Sequence, residues 1–370
     1  MKTLVLGITA ALIVVNASPT HAQLGKIMKG VDKAQQIREL NISEKDERAL
    51  GEAVSDRVRL EFGVFQDQEV TKYVTLVGTV LTQVSSRPDL NWEFIVLDTD
   101  GVNAFASPGG IVHITRGALG LIKSEAELAG VLSHEIAHIT KKHTVNAIQK
   151  NKGFKLASDA VPGSGAYIGA LANAAYDNIV EKGFDRGDEE DADKEGARLA
   201  NKVGYNPAGL GTFLEKLNAR NKGVVTRNAL FASHPETEGR ISKLAQLIKS
   251  EKLAATSLAE SRYSGAIKFE AKPITEISTV ETGARGLAEG SGTAKPEEKK
   301  TEEAPKKKGF GLGSLGLSKG KQAESTQASA SAGNRAVGVD RDAKGGSNSS
   351  KVSVTITPAE VEAFKKGIAG

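Results

Sequence analysis

The pattern of apolar and polar positions divides the chain before any motif is considered. From about residue 30 to 255, apolar runs alternate with turn signals, as in a globular domain. "NISEKDERALGEAVSDRVRLEFG" opens with Ser43 and Asp46 as a capping pair and predicts an amphipathic helix. "DQEVTKYVTLVGTVLTQVSS" repeats apolar residues at helical spacing and predicts a second. Trp92 to Leu97 reads as a strand. In "NAFASPGGIVHITRGAL", Pro108, Gly109 and Gly110 make a turn and Ile111 to Thr115 another strand. Ser124 and Glu127 cap the next helix, "SEAELAGVLSHEIAHITKKH", which is apolar on most faces and therefore expected to be buried. "FDRGDEEDADKEGARLANKVGYNP" carries a further helical pattern that buries Ala192, Ala197 and Leu199.

The ends of the chain differ in pattern. Lys2, the apolar run Leu4 to Val15 and Thr20-His21-Ala22 read as a secretory signal cut after Ala22, with a core too short to span a bilayer comfortably. Residues 256–282 are an extension without a clear pattern, and 283–350 are rich in Gly, Ser, Ala, Lys and Glu. Such a composition cannot bury enough apolar surface to offset its ordering entropy and is expected to be a disordered linker. In residues 351–370, Val352, Val354 and Ile356 alternate as in a strand, and Thr357, Pro358 and Glu360 start a short helix. One strand and one helix cannot fold alone, so this piece is expected to dock on something.

Composition narrows the function. The 370 residues carry a net charge of +4 with acids and bases intermixed, so nucleic-acid binding is not suggested. There is no cysteine, which removes disulfides and N-terminal lipid attachment as options in an oxidising compartment. The expected location is periplasmic or secreted, with stability drawn from the core and a metal.

The chemistry is concentrated in "SHEIAHITKKH". His134 and His138 are four apart and project from one helical face, where two imidazoles can hold Zn²⁺ at about 2.0–2.1 Å. Glu135 points to an adjacent direction, towards a water at the metal rather than the metal itself. His143 falls off the ligand face and reads as a helix-end residue near the negative pole of the dipole. A catalytic site needs a third protein ligand. Glu189 could supply it and Asp193, one turn on, could accept the second ring N–H of a ligand histidine. Asp188, Glu190 and Asp191 are close by, so spacing does not single Glu189 out.

From about residue 40 to 250 the chain resembles the Peptidase_M48 type of zinc endopeptidase. The resemblance rests on "NAFASPGG", "SEAELAGVLSHEIAHITKKH", "RGDEEDADKEGARL" followed by "GYNP", and "SHPETEGRI", in that order. It implies an α+β fold: a mainly helical zincin-like core with a small β-sheet, here over residues 30–255. It implies one Zn²⁺ per chain held by His134, His138 and Glu189, with Glu135 as general base and Asp193 behind a ligand. It gives His234 a place at the open side of the metal, as oxyanion stabiliser or as a ligand that blocks water in a resting state, and pairs Arg240 with an acid near the site. It also implies that the strand after the glycines, Gly109, Gly110, Ile111, Val112 and His113, is an active-site edge that pairs with extended peptide. Asp185 stands where the family usually has a small residue before the arginine. No set of transmembrane helices follows, as in the soluble secreted branch. The implied activity is hydrolysis of extended or misfolded polypeptides in envelope quality control, with envelope assembly proteins as partners. The alternative is a zinc-stabilised chaperone or assembly factor with a latched site. The Gly- and Ala-rich stretch from 153 to 184 reads either as a lid over the cleft or as a helical hairpin.

Overall fold

The computed structural model describes residues 42–150, 161, 163–222, 234, 237–279, 339–340 and 342–369. The architecture is α+β, mostly helical with one small sheet. Helix α1 (Glu44–Phe62) starts where expected, with the Ser43 hydroxyl accepting from Asp46 N at 3.1 Å. Helix α2 (Gln68–Thr82) follows, capped by Asp67. Three strands come next, β1 (Glu93–Leu97), β2 (Ala104–Ser107) and β3 (Ile111–Thr115). A short helix α3 (Arg116–Leu121) then leads to α4 (Glu125–Thr140). The second half holds α5 (His143–Lys150), α6 (Gly165–Tyr176), a π-helical turn (Asp177–Lys182), α7 (Arg186–Val203), α8 (Gly209–Arg220), α9 (Thr237–Ser250), α10 (Glu260–Ala266) and α11 (Pro358–Ala369).

The sheet order is β1-β3-β2, with β3 parallel to β1 and antiparallel to β2. Strand residues alternate between two cores, as the period of two requires. Phe94, Val96, Ala104, Ala106, Val112 and Ile114 face α2 and α4. Ile95, Leu97, Phe105 and Ile111 face the side of Leu50, Val54 and Val58 on α1. Burial on both faces explains why the strands read as nearly continuous apolar runs.

This order corrects one expectation. The strand after the glycines is the middle of the sheet, not its edge. Ile111, Val112 and His113 pair with β1 on one side and β2 on the other and are buried. Gly109 and Gly110 form the turn into β3 with positive φ, and Gly109 N donates to the buried Glu47 carboxylate. The edge strands are β1 and β2, and β2 carried no expectation from the sequence.

The described residues beyond 255 belong to the same body. Tyr263 of α10 is buried in the main core and its hydroxyl donates to Leu119 O. Residues 339–340 and 342–350, expected in the disordered linker, lie on the domain instead. Gly346 N donates to Phe62 O and Asp98 O, and the buried Asp340 carboxylate accepts from Arg220 at 3.0 Å. Residues 351–357 form no strand. Thr357 and Glu360 do form the reciprocal cap of α11. That helix packs on α2, and Phe364 meets Tyr73 edge-on at 6.1 Å. The piece therefore docks on its own domain. The expected signal segment and residues 281–338 lie outside the described residues.

Candidate metal centre

Helix α4 is the deepest helix of the domain. Every residue from Glu125 to Ile139 is buried, with Ser124 accepting from Glu127 N at 3.2 Å to start it. Helix α7 crosses it closely. Gly196 permits the approach, since a Cβ there would stand 3.1 Å from His134 N and 3.2 Å from Ser133 C. The N-cap of α7 is Asp185, whose carboxylate accepts from Asp188 N at 2.9 Å. The residue that departs from the usual family pattern thus performs the capping that a small hydroxyl residue would perform.

Packing α7 on α4 brings distant side chains together. One ligand-type atom from each of His134, His138, Glu189 and His234 lies within 4.8 Å of the others, and all four residues are buried. The His134 and His138 Nε2 atoms are 3.0 Å apart. His234 Nδ1 is 3.2 Å from His134 Nε2 and 2.8 Å from Glu189 Oε1. Glu189 Oε1 is 3.4 Å from His138 Nε2. Bonds of about 2.0–2.1 Å around a tetrahedral ion put ligand atoms about 3.3 Å apart, so this spacing fits a zinc-sized cation. His134 Nε2 faces two ring nitrogens at once and can share at most one proton with them. One oxygen of the buried Glu135, Oε2, has no hydrogen-bond partner. Two imidazoles, a carboxylate and an unsatisfied acid in a buried cluster are a donor set suited to a divalent metal.

Electrostatics around the cluster are strongly perturbed. Burial opposes charge on His134, but contact with Asp193 and Glu189 outweighs it and lifts its pKa to about 9. Burial holds His138 well below the ordinary range, against Glu189. Burial raises Glu135, with His234 and His134 pulling the other way. Glu189 is held well below the usual carboxylate range despite burial, because His234 and Arg240 lie against it. Asp193 is lowered too, burial being overcome by Arg240.

Each sequence-predicted residue has a definite place. Asp193 Oδ1 stands 3.0 Å from His134 Nδ1, behind the ring. The guanidinium of Arg240 spans two buried acids of α7, with Nε 2.8 Å and Nη2 2.6 Å from Asp193 and Nη1 2.7 Å from Glu189. His234 Nε2 is 3.8 Å from Glu135 Oε1. A small pocket opens beside His134, Glu135 and His234, with Val131, Leu210, Phe213 and Leu214 as its apolar wall. His113 stands apart from all of this, sealed against Ser55 Oγ at 2.9 Å.

Two neighbours of the cluster were not foreseen. His143 does not end α4. Helix α4 stops at Thr140, Lys142 adopts φ 57°, and His143 starts α5. The turn carries its ring under His138, with the two Nδ1 atoms 2.9 Å apart. Burial lowers its pKa, against Asp188 and Asp191. Phe184 stacks on the His138 ring at 4.0 Å between centroids. Its one sequence signal is an aromatic residue directly before a helix cap. The π-turn and α6 pack through Tyr167, Leu171, Ala175, Tyr176, Ile179 and Val180 into the second core, which makes residues 165–182 part of the body.

Comparison with known proteins accords with this geometry. Residues 68–248 match the sequence profile of Peptidase family M48. The chain is 28% identical over 213 residues to the beta-barrel assembly-enhancing protease of Yersinia pestis, covering 54% of this chain and 43% of that protein. It is 30% identical over 176 residues to the mitochondrial metalloendopeptidase OMA1 of Schizosaccharomyces pombe, covering 48% and 52%. It is 25% identical over 189 residues to the metalloprotease LoiP of Escherichia coli, covering 50% and 73%. The chain thus spans about half the length of several of the curated relatives it matches. The matched region contains α4, α7, His234 and Arg240, all the residues that meet at the cluster, and it is over this region that the chain is similar to peptidase family M48.

Proposed function

We propose that the chain is a zinc-dependent endopeptidase. The observation that carries this reading is the buried convergence of His134, His138 and Glu189 beside an unpaired Glu135 carboxylate oxygen. The first three would hold the ion and Asp193 would orient His134. When bound, zinc supplies Lewis-acid activation of water and of the scissile carbonyl. Glu135, with a pKa raised by burial, takes a proton from the attacking water and passes it to the leaving amine. Arg240 holds Glu189 and Asp193 ionised. The apolar wall of the pocket receives substrate side chains. Extended peptide pairs with the edge strand β2. The backbone of β2 is buried with the π-turn packed beside it, so strand addition requires that turn to move aside.

Relatives named for assisting β-barrel assembly favour envelope proteins as substrates and the periplasm as location. Among the described residues no helix is long and apolar enough to cross a membrane. The test is cleavage of unfolded casein by the purified protein beside Glu135→Gln. Cleavage confined to the unsubstituted protein supports the reading, and equal cleavage by both removes Glu135 from the chemistry.

A latched resting state is the second reading, favoured by the position of His234 inside the ligand cluster. In that state His234 occupies the place that water needs, and the chain acts as a zinc-stabilised chaperone or assembly factor. His234→Ala distinguishes the two. A gain of cleavage indicates a latched peptidase, and no cleavage in any variant favours the chaperone.

A further inference from the structure

We infer that His143 is a positioning residue for His138: its Nδ1 accepts the His138 Nδ1 proton and so reserves the His138 Nε2 lone pair for the metal. The inference rests on the metal-centre reading above. A neutral imidazole carries one proton on one of two nitrogens. His138 Nε2 faces the cluster, 3.0 Å from His134 Nε2. A proton there would prevent ligation, so the proton belongs on Nδ1, and a partner that accepts it fixes the tautomer. The partner at that atom is His143 Nδ1, 2.9 Å away.

The surroundings of His143 assign it the acceptor role. Its Nδ1 is bare only when its own proton sits on Nε2. That nitrogen faces two carboxylates, Asp188 at 3.8 Å and Asp191 at 3.7 Å. Acids on that side favour an N–H there, through space or across a water. The ring is 4% exposed, so solvent does not compete for Nδ1. Phe184 lies flat against His138 and limits its rotation, so the hydrogen bond acts on a ring whose plane is already set.

The two ligand histidines are therefore held by different partners. His134 backs onto a carboxylate, Asp193, and His138 backs onto an imidazole. The backbone makes the second arrangement possible. On an unbroken helix, five residues at about 100° each would leave His143 about 140° away from His138. The break at Lys141 and Lys142 reverses that and returns His143 to the ring. A mere space-filling role is the competing explanation, because a leucine would fill the same volume.

The experiment measures zinc affinity of the full chain by chelator competition, for the unsubstituted protein, His143→Leu and His143→Asn. Leucine keeps bulk without an acceptor, whereas asparagine places an oxygen near the position of Nδ1. The expected result is a 10- to 100-fold (order-of-magnitude) loss of zinc affinity in His143→Leu and a change of at most about threefold in His143→Asn. The cobalt-loaded leucine variant should also show an altered visible spectrum. In the zinc-loaded unsubstituted protein with ¹⁵N-labelled histidine, the His138 proton should reside on Nδ1, which decides the matter even where His143→Leu does not fold. Unchanged affinity in His143→Leu, an equal loss in His143→Asn, or a His138 proton on Nε2 overturns the inference and leaves the metal centre intact. Absence of zinc binding by the unsubstituted protein overturns the metal centre, and this inference falls with it.

Discussion

Arg240 gives the sharpest quantitative test of the site. Its guanidinium is 4% exposed and contacts two carboxylates that are themselves buried, Asp193 and Glu189. Arg240→Leu keeps much of the apolar bulk but leaves both acids without their common cation. Removing one partner of a buried ion pair costs about 3–5 kcal/mol, because the remaining charge stays desolvated. For a domain of 150–250 residues each kcal/mol moves the melting temperature by about 2–4 °C, so the expected drop is about 6–20 °C. Urea denaturation of metal-free protein measures the same loss directly. Asp193→Asn and the double variant complete the cycle. The double variant should be more stable than the sum of the singles by about 1–3 kcal/mol, since neutralising Asp193 relieves part of the damage. A loss under about 0.5 kcal/mol, the scale of an ordinary surface substitution, would refute the claim that Arg240 balances the site. Strict additivity would refute its coupling to Asp193.

Further outcomes follow from other parts of the fold. Gly130→Ala should destabilise by about 1–3 kcal/mol through overpacking, because its Cβ would stand 2.4 Å from Leu210 N between α4 and α8; a urea midpoint unchanged from the parent would contradict that contact. Burial, with Arg59 adding to it, pushes the His113 pKa down to about 3, whereas the unfolded chain takes up this proton near about pH 6.5. Stability from His113 is therefore complete above the unfolded value and falls as pH drops towards 3. The loss at pH 5 is about 2 kcal/mol, and it should be missing from His113→Asn in parallel urea titrations. Glu125 is fully buried and accepts from Tyr73 at 2.7 Å, Tyr205 at 2.9 Å and Arg262. Arg262 also lies over Phe364 and donates to its carbonyl, so Glu125→Gln should speed amide exchange in α11 before that in β3. Equal protection of α11 in both proteins would disconnect the network from the C-terminal helix.

Much of this site was legible because its signals are local. The caps at Ser43 and Ser124, the apolar faces of α4 and the i, i+4 histidines all reside in short windows. Glu189 was ambiguous on spacing because three acids lie beside it, and only packing against α4 separates it from them. What stayed hidden is non-local or carried by backbone. Continuous apolar runs announce strands buried on both faces but carry no order, so nothing in Ile111–Thr115 tells that β3 inserts between β1 and β2. The break that redirects His143 occurs at two lysines, without glycine or proline to mark it. Residues 342–350 have the composition of a linker, yet backbone bonds such as Val64 N to Asn348 O hold them, and those have no side-chain signature.

The central claim is that the cluster on α4 and α7 holds one divalent metal. Elemental analysis of the purified protein beside His134→Ala and His138→Ala tests it most directly. The account predicts about one zinc per chain in the unsubstituted protein and almost none in either variant. No metal in the unsubstituted protein after exposure to zinc, or the same content in all three, would contradict it.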